Sequence, residues 1–321
     1  MGGKRFARLC LGAALGLSLS ATACLAGGCA EEKPVEGDAP TYVAANTTTE
    51  KLPVSDKPAN NANAGSNTAK KTVNLDNYDA SVDTEYVNNV SMTRADVASD
   101  AEYCNFRQVT AGKIKSGRLY RSASPLLSPR GSYGDSAMRS AGIKNVINLA
   151  NETDAEVREL FAQEGFNSPY YKSLYDSGHV GLYFVSGDAM FGEDAAKTYA
   201  KALTWMASGN GPYLVHCAIG RDRTGFIITM VESLCDASWE EMKDDFMKSF
   251  WNLSLVSEES YPDMYWKVVD TWFIDRMKAL TGRIGGDPEN AADIKAGTID
   301  YLKAGGMTQS DIDRLVAYLT S

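Results

Sequence analysis

The chain has 321 residues and a formal net charge of −9, with 32 Lys and Arg against 41 Asp and Glu. An acidic chain with no basic run lacks the electrostatic footprint of a nucleic-acid binder, so that class is excluded. With two histidines and no Cys-x-x-Cys pair among six cysteines, a His-rich or zinc centre has no support, and the expectation is no metal and no cofactor.

Lys4, Arg5 and Arg8 form a basic start, Leu9 to Gly28 is apolar and free of carboxylates, and charge returns at Glu31-Glu32-Lys33. Residues 1–28 therefore read as a signal peptide, outside any fold reasoning. Leu25-Ala26-Gly27-Gly28-Cys29 resembles a bacterial lipobox, which implies lipidation of Cys29 and a new N-terminus there. Cys24 after Ala21-Thr22-Ala23 is a competitor, and simple cleavage after Ala23 is the plain alternative. Export follows in either case, to the outer face of the cell membrane as a lipoprotein or as a secreted protein. Each acyl methylene buried in lipid contributes about 0.8 kcal/mol, so several chains anchor firmly. Residues 29–95 are rich in Asn, Thr, Ala and Ser, as in Asn60-Asn61-Ala62-Asn63-Ala64-Gly65-Ser66, and suit a flexible tether.

Residues 96–321 suffice for one well-buried domain. Apolar runs at Asn145–Leu149, Leu182–Val185 and Tyr213–Val215 predict strands, and Asp154–Glu164 and Glu193–Met206 predict helices between them. That alternation predicts an α/β fold, a mostly parallel sheet flanked by helices. Ser238-Trp239-Glu240-Glu241 is a capping box opening a helical C-terminal extension. In that extension Tyr261, Met264, Tyr265, Val268, Val269, Trp272 and Phe273 recur at helical spacing, a core stripe or, alternatively, a helical cover over a cleft.

The chemistry concentrates in His216-Cys217-Ala218-Ile219-Gly220-Arg221-Asp222-Arg223-Thr224-Gly225. A buried strand precedes it and the apolar run Phe226–Val231 follows, so it reads as a tight loop entering a helix. There the free N–H groups and the positive dipole end meet at an anion site. A cysteine aimed into such a site supplies a nucleophilic thiolate.

The pattern His-Cys, five residues, Arg, then Thr resembles the cysteine-dependent phosphatases, and the expected fold is theirs. The resemblance implies that Cys217 attacks phosphorus and forms a phosphocysteine. The N–H groups of Ala218, Ile219, Gly220, Arg221, Asp222 and Arg223 would cradle the phosphoryl oxygens, and Arg223 would fork onto two of them. His216 would order the loop, and Thr224 would help the thiolate leave. Gly220-Arg221-Asp222-Arg223-Thr224-Gly225 is similar to the Gly-Lys-Asp-Arg-Thr-Gly loop of bacterial secreted tyrosine and phosphoinositide phosphatases. Asn105-Phe106-Arg107-Gln108-Val109, Gly117-Arg118-Leu119-Tyr120-Arg121-Ser122 and the closing Ile299–Leu315 segment support the same branch. Asn148-Leu149-Ala150 departs from that branch's Asp-Leu-Arg. Arg107 and Arg121 match family positions and either widen the positive field or pair with a surface carboxylate.

Phosphoryl transfer of this kind needs a general acid. The resemblance assigns it to Asp222, with Asp188 in the Val185-Ser186-Gly187-Asp188-Ala189 loop as the rival and Asp176 a remote third. The expected activity is hydrolysis of phosphate monoesters on phosphotyrosine, and by extension phosphoserine, phosphothreonine or phosphoinositides. Arg221, an extra cation in the loop, keeps the lipid substrate open. The alternatives are a phytase-like inositol polyphosphate phosphatase and a catalytically weak surface module that binds phosphorylated ligands. A disulfide from Cys217 to Cys104 or Cys235 is a minor further option.

Overall fold

The computed structural model describes residues 92–321. The expected signal peptide, Cys29 with its rival Cys24, and the tether up to residue 91 lie outside the described residues. Five strands, β1 (Arg107–Gln108), β2 (Leu119–Ser122), β3 (Asn145–Asn148), β4 (Val180–Leu182) and β5 (Tyr213–His216), form one sheet in the order β1-β2-β5-β3-β4. All neighbours run parallel except the edge pair β1–β2. The predicted α/β class with a mostly parallel sheet therefore holds. The strand expected over 182–185 begins two residues earlier, at Val180. β4 ends at Leu182, and Tyr183 and Val185 then donate to the carbonyls of Asn148, the last residue of β3, and Leu149 just past it (2.8 and 3.3 Å).

Eleven helices are described: α1 (Asp100–Tyr103), α2 (Gly131–Ser140), α3 (Asp154–Ala162), α4 (Pro169–Asp176), α5 (Glu193–Met206), α6 (Asp222–Leu234), α7 (Trp239–Ser254), α8 (Pro262–Val268), α9 (Ile274–Thr281), α10 (Ala291–Ala304) and α11 (Gln309–Thr320). Side chains alternate across a strand, so β3 and β5 each serve two cores. Val146 and Leu214 pack with Met138 of α2, Val157 of α3 and Tyr171 of α4. Ile147 and Val215 face the larger core of α5, α6 and the C-terminal helices. Burial on both faces is why these two strands read as continuous apolar runs.

The α6 run from Phe226 to Val231 is wholly buried, as a helix apolar all round must be. The expected capping box opens α7, with Ser238 accepting from the Glu241 N–H and Glu241 reaching back. The aromatic stripe is mostly core: Met264, Tyr265, Val268, Val269 and Phe273 are buried. Between α8 and α9 the chain makes a π-helical turn over Val269–Phe273. At Gly297 an added Cβ would lie 2.5 Å from the Leu280 carbonyl, so α10 can cross α9 only with glycine there. No helix among the described residues is long and apolar enough to cross a membrane.

Candidate active site

β5, the central strand, ends at His216, and α6 begins at Asp222. The five residues between them turn at the carboxyl end of a parallel sheet, where open α/β folds place ligands. Cys217 is 1 % exposed and carries a free thiol, as do the buried Cys104 and Cys235. The expected alternative of a disulfide therefore has no counterpart here. Burial pushes both Cys104 and Cys235 up to about 12, which makes them inert packing thiols.

Three loop carbonyls are held by the surrounding scaffold. Ala218 accepts from the Ser124 N–H (2.9 Å), Ile219 from Asn105 Nδ2 (3.1 Å), and Gly220 from Asn105 Nδ2 (3.1 Å) and Arg121 Nη2 (2.9 Å). With its carbonyls held by the surrounding scaffold, the loop has the make-up of an anion-binding nest of peptide N–H groups. Among the described residues, the N–H groups of Ala218, Ile219 and Gly220 have no protein acceptor. Gly220 has φ +71°, and a Cβ there would sit 2.1 Å from the Ser122 carbonyl oxygen. Both the left-handed conformation and the close approach to β2 require glycine.

Arg223, in the first turn of α6, donates Nη1 to the carbonyls of Leu149 and Val185 (3.0 Å each). Those acceptors lie just past β3 and β4, so two strand ends aim one guanidinium. Thr224 is fully buried, and its hydroxyl has no hydrogen-bond partner among the described residues. A buried hydroxyl without a partner is costly, and such a group is poised for a ligand or for an atom that changes charge.

His216 is fully buried. Its Nδ1 lies 3.1 Å from the Cys217 carbonyl oxygen and its Nε2 lies 3.2 Å from the Tyr171 hydroxyl. A carbonyl can only accept, so Nδ1 carries the proton and Nε2 accepts from Tyr171. Burial pulls His216 down to about 4; its bond to the Cys217 carbonyl opposes this and Arg223 adds to it. The ring is therefore neutral at ordinary pH. Tyr171 in turn accepts from Asn148 Nδ2 (3.0 Å), which also donates to Asn151 Oδ1 (3.1 Å). Asn148 Oδ1 accepts from the N–H groups of Ala150 and Asn151 (2.8 and 3.1 Å). The departure at Asn148 thus supplies a donor that a carboxylate lacks.

Asp222, at the first position of α6, receives Arg276 Nη2 on Oδ1 (2.9 Å) and Arg221 Nε on both oxygens (3.3 and 3.2 Å). Arg221 is 5 % exposed and stacks between Phe250 and Trp272, at 5.1 and 4.5 Å from the ring centroids. The π-helical turn carries that Trp272. Asp188 is exposed, in a short turn at Gly187–Ala189. Its loop starts at Val185, which holds Arg223, and ends at Phe191, which packs edge-on to Phe226 of α6 (5.0 Å). Asp176 pairs with Lys172 at 2.5 Å along α4, an ordinary surface pair, and His179 is an exposed loop residue bonded to Asn145.

Arg107 and Arg121 are directly opposite each other on β1 and β2. Both bind Asp245 of α7, Arg107 at 2.7 Å, and both bond Ser249 (2.9 and 3.2 Å). The pairing carboxylate is therefore largely enclosed, with 14 % of its side chain exposed, rather than out on the surface. Burial alone would raise Asp245, but the two guanidiniums outweigh it and hold its carboxyl low. Glu232 of α6 lies beside this cluster facing Asp245, and neither of its oxygens accepts a hydrogen bond from the described residues. Burial and the neighbouring Asp245 push the Glu232 carboxyl well above the usual range, against the pull of Arg121 and Arg107.

Sequence reasoning gave no role to Tyr171, Arg276, Asp245 or Glu232. A signal existed for two of them. Arg276 follows Trp272 by four residues on an apolar face, and Glu232 interrupts the buried run of α6. A charge on a buried face requires a partner.

A cysteine following the central strand, a loop of unpaired N–H groups and an arginine held by two strand ends are the make-up of a cysteine-based phosphatase. The profile of the tyrosine phosphatase family matches residues 101–321, and the chain belongs to that family. It is a phosphoric monoester hydrolase. No curated protein sequence matches it significantly. Two solved structures are similar over part of the chain. The core catalytic domain of the PP-IP phosphatase SIW14 from S. cerevisiae, in complex with citrate, is 18 % identical, covers 56 % of this chain and 93 % of its own, and has a TM-score of 0.31. A second Siw14 catalytic core is also 18 % identical, covers 56 % and 92 %, and has a TM-score of 0.32.

Proposed function

We propose that the chain hydrolyses phosphate monoesters through a phosphocysteine on Cys217, with phosphotyrosine as the leading substrate. The observation that carries this reading is the pinning of the carbonyls of Ala218, Ile219 and Gly220 by the scaffold beside a buried cysteine. Cys217 Sγ attacks phosphorus while the ester P–O bond breaks, and Asp222 gives its proton to the leaving oxygen. Water then attacks the phosphocysteine, its proton passes to the Asp222 carboxylate, and the P–S bond breaks with Thr224 donating to the departing sulfur. Arg223 and the loop N–H groups hold the phosphoryl oxygens throughout. Asp188 is the rival acid, one loop away across Arg223.

The position of Arg221 favours a simple monoester over an inositol polyphosphate. Its guanidinium is drawn between Phe250 and Trp272 rather than adding a second cationic subsite at the mouth. Phosphoserine, phosphothreonine and phosphoinositides are secondary candidates on the same chemistry. The protein would work at the outer face of the cell membrane, anchored through a lipidated Cys29 and spaced from it by residues 29–95. The catalytic unit would begin near residue 96.

The test is turnover of an aryl phosphate by wild type, Cys217→Ser and Arg223→Ala. Activity in the wild type and its loss in both variants is expected; full activity in Cys217→Ser would end this mechanism. Binding without turnover in all three would favour a phospho-ligand-binding module. A panel of phosphotyrosine peptides and inositol polyphosphates then ranks substrates, and faster turnover of the polyphosphates would overturn the preferred class. Asp222→Asn should flatten the pH dependence of kcat that Asp188→Asn retains. Incorporation of labelled fatty acid, lost in Cys29→Ala and kept in Cys24→Ala, tests the anchor.

A further inference from the structure

The back of the phosphate-binding loop is built with more polar detail than packing alone needs. Asn105 is fully buried at φ +51°, a conformation that asparagine tolerates better than most side chains. Its amide is saturated. Oδ1 accepts from Arg107 Nη1 (2.6 Å) and Asn252 Nδ2 (3.1 Å), while Nδ2 donates to the carbonyls of Ile219 and Gly220. Two donors on one side and two acceptors on the other leave the amide a single orientation. Arg121, also fully buried, places Nη2 on the Gly220 carbonyl and Nη1 on Asp245.

Two guanidiniums directly opposite on neighbouring strands repel, and the arrangement is kept only because Asp245 lies between them. Both groups end on the loop carbonyls, Arg121 directly on Gly220 and Arg107 by way of Asn105 on Ile219 and Gly220. Each of those carbonyls shares a peptide unit with the next N–H. A donor on the Ile219 oxygen therefore polarises the Gly220 N–H, and donors on the Gly220 oxygen polarise the Arg221 N–H. The second carbonyl takes a bond from a full positive charge, the stronger kind.

We propose that Asn105 and Arg121 are positioning residues of the phosphate cradle, which aim and polarise the Gly220 and Arg221 N–H groups by holding the Ile219 and Gly220 carbonyls in place. This rests on the phosphocysteine reading, in which those N–H groups meet the phosphoryl oxygens. The oxyanion then binds to a loop that is already oriented, and no reorganisation is needed as charge moves onto it. The effect reaches the substrate only through the loop backbone.

The test uses the full chain with four substitutions. Asn105→Asp keeps shape and the acceptor for Arg107 but sets a carboxylate oxygen against two carbonyls. Asn105→Gly keeps the positive φ and removes the donors without burying a charge. Arg121→Lys keeps the charge but cannot fork between Gly220 and Asp245. Leu315→Val, a trimmed core position on α11, is the control for lost stability. Binding of inorganic phosphate by calorimetry, kcat and KM on an aryl phosphate, and the thermal midpoint are measured for each. Asn105→Asp is expected to weaken phosphate binding at least tenfold, and Asn105→Gly and Arg121→Lys about three- to tenfold. In all three kcat should fall by more than KM rises, whereas Leu315→Val lowers the midpoint with phosphate binding and kcat within twofold of wild type. Wild-type phosphate affinity and kcat in folded Asn105→Gly and Arg121→Lys would overturn the proposal, as would losses that follow the midpoint as in the control. The calorimetric arm does not need turnover. A wild type that binds phosphate but never turns over would sink the enzymatic reading while leaving the cradle testable.

Discussion

On the β2 side of the loop, two guanidiniums and two carboxyl groups are packed behind Gly220. On the β3 side, a chain of neutral groups runs from His216 through Tyr171 to Asn148. Both flanks are buried and both hold the same short segment, yet one does so with ions and the other without. The ionic flank grips carbonyls of the loop, where bonds from a positive charge strengthen the N–H groups of the same peptide units. The neutral flank adjoins the cysteine itself, and there it fixes a histidine tautomer without adding a charge beside the nucleophile. Rigidity comes from both sides, but sensitivity to charge and to pH should divide between them.

The largest effect should come from uncoupling the ionic flank. Asp245→Asn keeps the shape but removes the carboxylate that both Arg107 and Arg121 bind, and breaking a buried pair in this way costs about 3–5 kcal/mol. Urea unfolding at pH 7 measures it. A loss below about 1 kcal/mol would mean that the flank is no more ionic in its energetics than its neutral counterpart.

The neutral flank should declare itself through acid. The unfolded chain protonates its His216 near pH 6.5, whereas the folded protein does so only near about 4. Above pH 6.5 neither state carries that proton and there is no penalty. Between about 6.5 and 4 the unfolded state binds more protons, so stability falls as pH falls, by roughly 3 kcal/mol in all, and then levels off. His216→Gln removes the titrating ring, so its unfolding free energy should lack this part of the acid limb. Identical slopes for the two proteins from pH 7 to 4 would show that the ring is not held neutral.

Glu232 gives a third effect, of opposite sign. Its folded carboxyl is raised, so its contribution to stability is present below about pH 4.5 and is lost as pH rises toward the folded value. Glu232→Gln keeps the shape and removes that loss. The variant should be more stable than wild type at pH 8, with a smaller difference at pH 5. Equal destabilisation at both pH values would make Glu232 a necessary carboxylate of the cluster.

These two flanks were unequally legible in the sequence. Cys217, Gly220, Arg223 and Thr224 stand in one continuous motif, and the apolar runs around it placed β5 and α6. β3 was equally plain because both its faces are buried. β1 and β2 were not, since Arg107, Gln108, Tyr120, Arg121 and Ser122 alternate no apolar face that a strand pattern could reveal. The ionic flank joins residues 105, 107 and 121 to 232, 245 and 249, contacts set by topology rather than by spacing. Asn105 stood in a recognised segment, but its job depends on a left-handed backbone and on two carbonyls more than a hundred residues away. Asn148 looked like a lost carboxylate, and only the position of Tyr171 shows that its amide donor is used.

The smallest effect belongs to the middle of the neutral chain. Tyr171→Phe removes one hydroxyl from a buried line and leaves Asn148 Nδ2 still bonded to Asn151. Only His216 Nε2 then lacks a partner, so the stability cost should be about 1 kcal/mol. The consequence for the site is specific. Without the Tyr171 O–H, nothing keeps the proton on Nδ1, and the bond from Nδ1 to the Cys217 carbonyl is no longer guaranteed. Tyr171→Phe should therefore lower kcat several-fold with KM almost unchanged. Asn148→Asp should match it, because a carboxylate accepts the Tyr171 proton and turns that hydroxyl away from His216. If Asn148→Asp leaves kcat untouched while Tyr171→Phe lowers it, the relay ends at the tyrosine and Asn148 serves only the turn that presents the Leu149 carbonyl to Arg223.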